Sequence, residues 1–268
     1  MPHMLILGMG YTGSRLATRL RADGWHVTGV RRAADAGALA FDDDSGVRTA
    51  IAQATHILSS VPPEGQADPV LTRHGAAIAA APALWTGYLS STGVYGDAAG
   101  AWVDESSPVG SGRRGARVQA DADWGALRPD MRRFRLPGIY GPGRSALDRV
   151  REGRAHRIDL PDQIFSRAHV DDIVAGIVAS FDGPPGVYNL ADDLPCAQNR
   201  LIETACAMLG EPLPTLMTLE DAQLSPMARS FYAENRRVAN GRAKRLLGWA
   251  PRYPTYREGL AACLAEAG

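Results

Sequence analysis

Met4-Leu-Ile-Leu-Gly-Met-Gly-Tyr-Thr-Gly-Ser-Arg-Leu-Ala-Thr-Arg-Leu20 is the stretch from which the fold of this chain is read. Four consecutive apolar residues indicate a buried strand, and Gly8, Gly10 and Gly13 follow at G-x-G-x-x-G spacing. Leu16, Ala17 and Leu20 then recur with the period of a helix. The first glycine of such a turn permits the tight strand-to-helix reversal. The second lets a pyrophosphate approach the backbone, and the third lets helix and strand pack closely. Unpaired N–H groups at the positive end of the helix then face the phosphates. Gly8, Gly10, Tyr11, Thr12 and Gly13 are therefore the expected core of a dinucleotide site.

Composition narrows the class. The 268 residues suffice for one α/β domain, or for a nucleotide domain with a small second lobe. Lys+Arg and Asp+Glu balance at 29 each, so no global field favours nucleic acid or an anionic membrane. Three cysteines (Cys196, Cys206, Cys263) are odd in number and form no C-x-x-C pair, as expected of reduced packing residues. Met1-Pro-His3 is too short to hold a signal peptide, and no apolar run approaches the roughly 20 residues of a membrane span. A cytoplasmic protein is expected, a monomer or homodimer with a small-molecule substrate and no metal, since no His/Cys/Asp cluster has ligand spacing.

Along the chain, His26-Val-Thr-Gly-Val30 reads as a second strand ending at Arg31-Arg32. An acidic residue there would bind ribose hydroxyls, whereas arginine accommodates a 2′-phosphate, so the pair points to NADP, with NAD as the alternative. A pair of solvated surface arginines is the plain reading of the same residues. Asp42-Asp-Asp44 lacks calcium-loop spacing and reads as a turn and helix cap. A fourth strand over residues 55–61 stops at Pro62-Pro63, where a cofactor would cross the sheet edge, which brings Val61 and Pro62 into the expected site. His56 within that strand reads as a packed histidine. An alanine-rich helix over 68–81 leads to a fifth strand, Gly87-Tyr-Leu-Ser-Ser91. Alternating strands and helices to about residue 136 indicate a parallel sheet covered on both faces. Residues 1–182 form the expected dinucleotide domain, with an excursion over 141–164, and residues 183–268 a smaller lobe.

Leu89-Ser-Ser-Thr-Gly-Val-Tyr-Gly96, taken with the N-terminal glycines, resembles the extended short-chain dehydrogenase/reductase superfamily, the NAD(P)-dependent epimerase/dehydratase group. The resemblance continues through Arg135-Leu-Pro-Gly-Ile-Tyr-Gly-Pro-Gly-Arg144, Phe165-Ser-Arg-Ala-His-Val-Asp-Asp172, Val187-Tyr-Asn-Leu-Ala-Asp192 and Leu246-Leu-Gly-Trp-Ala-Pro251. It implies a Rossmann-type α/β fold, a doubly wound parallel sheet with a smaller C-terminal substrate lobe. Ser91 falls at the position of the family's hydroxyl that polarises the substrate oxygen, and Ser90, Pro137 and Ile139 fall at cofactor positions. The plain alternative for Ser91 is a hydrogen bond within its own turn.

The family's Tyr-xxx-Lys pair is missing. None of the eight tyrosines has a lysine four residues later, and Lys244 is the only lysine in the chain. Ser111-Gly-Arg-Arg-Gly-Ala-Arg-Val-Gln-Ala-Asp121 aligns Arg113 with the tyrosine and Arg117 with the lysine. Arg117 retains a positive charge toward the cofactor, but the guanidinium of Arg113 offers no usable proton exchange at neutral pH. Tyr95 and Tyr140 are the substitute acid–base candidates, either of which can instead pack or orient the cofactor. Thr92 and Gly93 stand where the dehydratase subgroup places acidic residues, which argues against that dehydration chemistry. Arg144 and Arg167 are candidates to pair with an anionic substrate group, or are surface residues. Two functions follow: an NAD(P)-dependent oxidoreductase or epimerase-like enzyme on a carbonyl, hydroxyl or nucleotide-sugar substrate, or a dinucleotide-binding regulator that lost the chemistry.

Overall fold

The computed structural model of the chain describes residues 1–35, 37–110 and 115–267. Strands and helices alternate at first: β1 (His3–Leu7), α1 (Tyr11–Ala22), β2 (His26–Arg31), β3 (Ala38–Ala40), α2 (Asp44–Gln53), β4 (His56–Ser59), α3 (Pro69–Ala79) and β5 (Trp85–Ser91). A 3₁₀ turn over Thr92–Tyr95 precedes β6 (Trp102–Val103), α4 (Gly115–Leu127), β7 (Met131–Leu136), β8 (Gly138–Tyr140) and α5 (Ala146–Arg151). Then come β9 (Arg157–Ile158), β10 (Arg167–His169), α6 (Val170–Ala179), β11 (Gly186–Asn189), α7 (Gln198–Leu209) and β12 (Leu216–Met217). The last elements are α8 (Pro226–Ser230), β13 (Arg237–Val238), α9 (Gly241–Leu247) and α10 (Tyr256–Ala267).

Seven strands form one sheet in the order β11-β7-β5-β4-β1-β2-β3, and every pairing is parallel. After β3 the chain crosses back to place β4 on the other side of β1. The carboxyl ends of β1 and β4 therefore flank the switch point, where an open sheet of this kind holds ligands.

Both faces of the sheet are covered, which is why all of Met4–Leu7 is apolar. Met4 and Ile6 pack with Leu16 and Leu20 of α1 and Ile173 and Ile177 of α6. Leu5 and Leu7 face Val47 and Ile51 of α2, Val70 and Ile78 of α3, and Trp124 of α4. Helix starts follow capping rules. Asp43 accepts from Gly46 N–H at the start of α2, and Asp68 accepts from Val70 and Leu71 N–H at 2.9 and 3.0 Å ahead of Pro69. His56 packs between Trp25 and Phe181, and burial lowers its pKa to about 4.

A smaller lobe gathers α5, α7 and α10 around Leu147, Leu201, Ile202, Tyr256 and Leu260. β11, beyond residue 183, is an outer strand of the main sheet. Ala243 of α9 and Trp249 also join the sheet's core. Arg15 of α1 ties lobe to sheet: it pairs with Asp171 at 2.6 Å and with Glu266 of α10 at 3.0 Å.

Candidate dinucleotide-binding and active site

The three glycines of the first turn are held for different reasons. Gly8 has φ +100°, and a Cβ there would lie 2.7 Å from Ser60 Oγ and 2.9 Å from Val61 Cγ2. A Cβ on Gly13 would lie 2.5 Å from Gly8 O. The fold itself forbids a side chain at either position. Gly10 has an ordinary φ of −80°, and a Cβ there would meet nothing within 4 Å. What Gly10 leaves clear is open space before the first turn of α1, which has no side-chain cap and no acidic residue. Bare N–H groups, clear space and no negative charge are what a pyrophosphate requires, so the residues fit a dinucleotide. Ser60, after β4, donates from Oγ to Gly8 O at 2.5 Å and fixes the turn; the sequence reading passed over it. Thr12 is buried within the turn; after β4, Val61 is half-buried and Pro62 is exposed.

At the end of β2, Arg31 and Arg32 are both exposed, and Arg31 pairs with Asp35 at 2.7 Å. A carboxylate thus stands where only basic residues were expected.

At the centre of the edge, Ser90 and Ser91 have separate tasks. Ser90 is buried and donates to Asp121 Oδ1 at 2.6 Å. Asp121 on α4 also accepts from Arg135 Nη2 and Arg133 Nη1, both at 2.9 Å. Burial alone would raise this carboxyl. The Arg135 hydrogen bond and charge, with Ser90 and Arg133, outweigh it and hold Asp121 below the usual carboxylate range. α4 carries Arg117, the position aligned with the lysine of the Tyr-xxx-Lys pair. Here it carries a buried acid locked to two arginines, which no sequence motif announces. Ser91 is half-buried, and its Oγ accepts Gly93 N–H at 3.1 Å, so its own proton can still be donated outward.

Tyr95 is buried near this edge, donating to Asn189 Oδ1 at 2.8 Å with the Arg135 guanidinium 4.9 Å from its ring centre. Burial raises its phenol pKa, against the pull of Arg135. Arg117 is half-buried beside the Tyr88 phenol, whose pKa burial raises and Arg117 partly restores. Arg113 lies outside the described residues. Pro137 and Ile139 are half-buried where the chain leaves β7, Ile139 against the sheet's core.

Two expectations are corrected. Tyr140 does not point to the cleft. β8 pairs with β10 and turns its ring into the lobe's core, against Gly259, where burial drives the phenol pKa far upward. Arg167 is buried too. It donates to Phe165 O at 3.0 Å, Cys196 O at 3.2 Å and Gln198 Oε1 at 3.0 Å, so it braces loops instead of awaiting an anion. Arg144 is exposed, but it lies over the ring of Tyr11 at 5.5 Å, beside the glycine turn. His169 caps α6, accepting Asp171 N–H at 3.2 Å. Among the described residues no group of three or more His, Cys, Asp or Glu could hold a metal, and no helix is long and apolar enough to cross a membrane.

No family model matches the chain. A solved structure, described as a functionally unknown conserved protein from Silicibacter pomeroyi, is 42% identical over 100% of this chain and 99% of that one, with a TM-score of 0.89. The chain belongs to that protein's family. A human epimerase family protein solved with NADPH shares the fold at 19% identity, covering 98% of this chain and 99% of that one, with a TM-score of 0.80. MoeE5, in complex with UDP-glucose and NAD, shares it at 20% identity over 99% and 98%, with a TM-score of 0.79. The chain thus shares its fold with proteins solved with NADPH and with NAD. A 3-diazoavenalumate denitrifying reductase from Streptomyces is 30% identical over 142 residues, 47% of this chain and 45% of that protein. The chain therefore matches less than half the length of this curated relative.

Proposed function

We propose that the protein is an NAD(P)-dependent oxidoreductase or epimerase-like enzyme acting on a small carbonyl, hydroxyl or nucleotide-sugar substrate. The observation that carries this reading is the glycine turn. Gly8 and Gly13 are demanded by packing, whereas Gly10 is demanded by nothing in the chain and faces clear space at an uncapped helix start. A bound nicotinamide supplies or accepts a hydride at a substrate carbon. Ser91, whose oxygen is anchored by Gly93 N–H, donates a hydrogen bond to the substrate oxygen and so orients and polarises it. Tyr95 has its hydroxyl on Asn189, so solvent takes the proton that the substrate gives up and supplies the one that it takes.

Arg31 and Arg32 favour NADP, and the human structural relative was solved with NADPH. MoeE5 was solved with NAD, and Asp35 on Arg31 weakens the 2′-phosphate argument. The partial match to a reductase supports hydride transfer as the reaction. The second reading, a dinucleotide-binding regulator, is favoured by one observation: α4 carries the Asp121 lock in place of a tyrosine and lysine.

Calorimetric titration with NADPH and NADH tests the cofactor. The protein is expected to bind NADPH more tightly, and Gly10→Ala to lose about tenfold in affinity while its unfolding midpoint holds. Single-turnover oxidation of bound NADPH over a panel of carbonyl and sugar-nucleotide substrates tests the chemistry. Ser91→Ala is expected to slow it about a hundredfold. Tight binding with no turnover on any substrate would favour the regulator.

A further inference from the structure

The turn after β8 reaches back to the first residue of α1. Gly141 and Arg144 close it with two backbone hydrogen bonds, Arg144 N–H to Gly141 O at 3.0 Å and Gly141 N–H to Arg144 O at 3.4 Å. Tyr11 donates from its hydroxyl to Pro142 O at 3.0 Å. A Cβ on Gly141 would sit 2.5 Å from that same hydroxyl and 2.7 Å from Val170 Cγ1. The turn is thus seated between α1 and α6 because position 141 lacks a side chain. Arg144 projects from this seat over the Tyr11 ring, its guanidinium carbon 5.5 Å from the centroid, which is cation–π distance. Among the described residues, the ring of Tyr11 is the partner found for this guanidinium, and no carboxylate neutralises it.

We infer that Arg144, held on Tyr11, clamps the pyrophosphate of the bound dinucleotide from the side opposite the glycine turn. This rests on the cofactor reading above and adds a residue to it. Tyr11 follows Gly10 directly, so the guanidinium stands beside the clear space that Gly10 leaves before α1. The glycine turn offers backbone N–H groups but no side-chain charge, and two phosphates bring two negative charges. An exposed, unneutralised arginine with a planar fork of donors complements them from the other side. The same position was a candidate for a substrate anion. Its seat on α1 assigns it to the cofactor, and Arg167, the other candidate, has its donors committed within the fold.

The test is calorimetric titration of the full chain with NADPH, NADH and ADP-ribose, the last keeping the pyrophosphate and lacking nicotinamide. Arg144→Ala is expected to weaken all three about tenfold, Arg144→Lys about threefold, and Tyr11→Leu, which removes the seat, about threefold. Arg151→Ala, an equally exposed charge at the end of α5, is expected to change none of them and so separates a local contact from net charge. Unchanged affinities in Arg144→Ala, with the parent protein binding, would overturn the clamp and leave the cofactor reading standing. A rise in substrate KM alone would do the same, returning Arg144 to the substrate. Failure of the parent protein to bind any of the three would overturn the cofactor reading, and the clamp with it.

Discussion

Asp121 and Asp192 are equally buried, each 3% exposed, yet burial has opposite outcomes for them. Asp121, beneath Ser90, accepts hydrogen bonds from two arginines and a hydroxyl and is held ionised, below the usual carboxylate range. Asp192 lies just past the end of β11, where the chain turns into the lobe. Among the described residues it accepts only Leu194 N–H, at Oδ1, and Oδ2 has no partner; burial pushes its pKa up to about 7, with Arg167 only partly opposing. Depth alone does not decide whether a carboxyl keeps its charge; the donors the fold supplies decide it. The edge below Ser90 is built to keep a fixed charge, and the lobe junction to hold a carboxyl that becomes protonated near neutrality.

Removing the acid from the first region is the sharpest way to break the contrast. Asp121→Ala leaves Arg133 and Arg135 facing an empty position, and denaturant unfolding should show a loss of about 3–5 kcal/mol. A loss below about 1 kcal/mol would mean that water satisfies the arginines and that the lock is weak.

The second region predicts an effect of opposite sign, no larger than the first and confined by pH. Because the folded Asp192 holds a proton that the unfolded chain has released, stability falls as pH rises from about 4 through about 7. Asp172, raised to about 6 by burial, adds a slope of the same sign to parent and variant alike. Asp192→Asn does not titrate. Its stability relative to the parent should therefore climb by about 4 kcal/mol between pH 4 and pH 8, read as the difference between two denaturation series. A difference that stays flat over that window would place Asp192 in water.

The first turn was legible because each of its constraints is local: an apolar run, glycines at fixed spacing, then a helical period within seventeen residues. The Asp42–Asp44 run was legible as a cap for the same reason, since the Gly46 N–H that Asp43 accepts lies three residues away. The Asp121 lock was not legible, because α4 reads as a polar helix and only the tertiary fold shows which acid it turns inward. Tyr140 was misplaced for a related reason. Sequence brings it to the end of a strand, but β8 pairs with β10 and not with the main sheet, and that pairing chooses the face. Arg167 and Arg144 look alike in sequence. What separates them is the set of carbonyls that surrounds one and the aromatic ring that holds up the other.

Arg15 joins partners 156 and 251 residues away, so α1 is made long before the residues that secure it. At ordinary rates of synthesis, about 5–20 residues per second, α1 waits some tens of seconds for Glu266 to emerge. For the first part of that interval, until α6 has also been made, the apolar side of α1 lacks its covering helix and stays open to chaperones. Closing so long a loop also delays spontaneous refolding. A nascent-chain series that lengthens past residue 171 and then past residue 266 should show protease resistance of α1 rising in two steps.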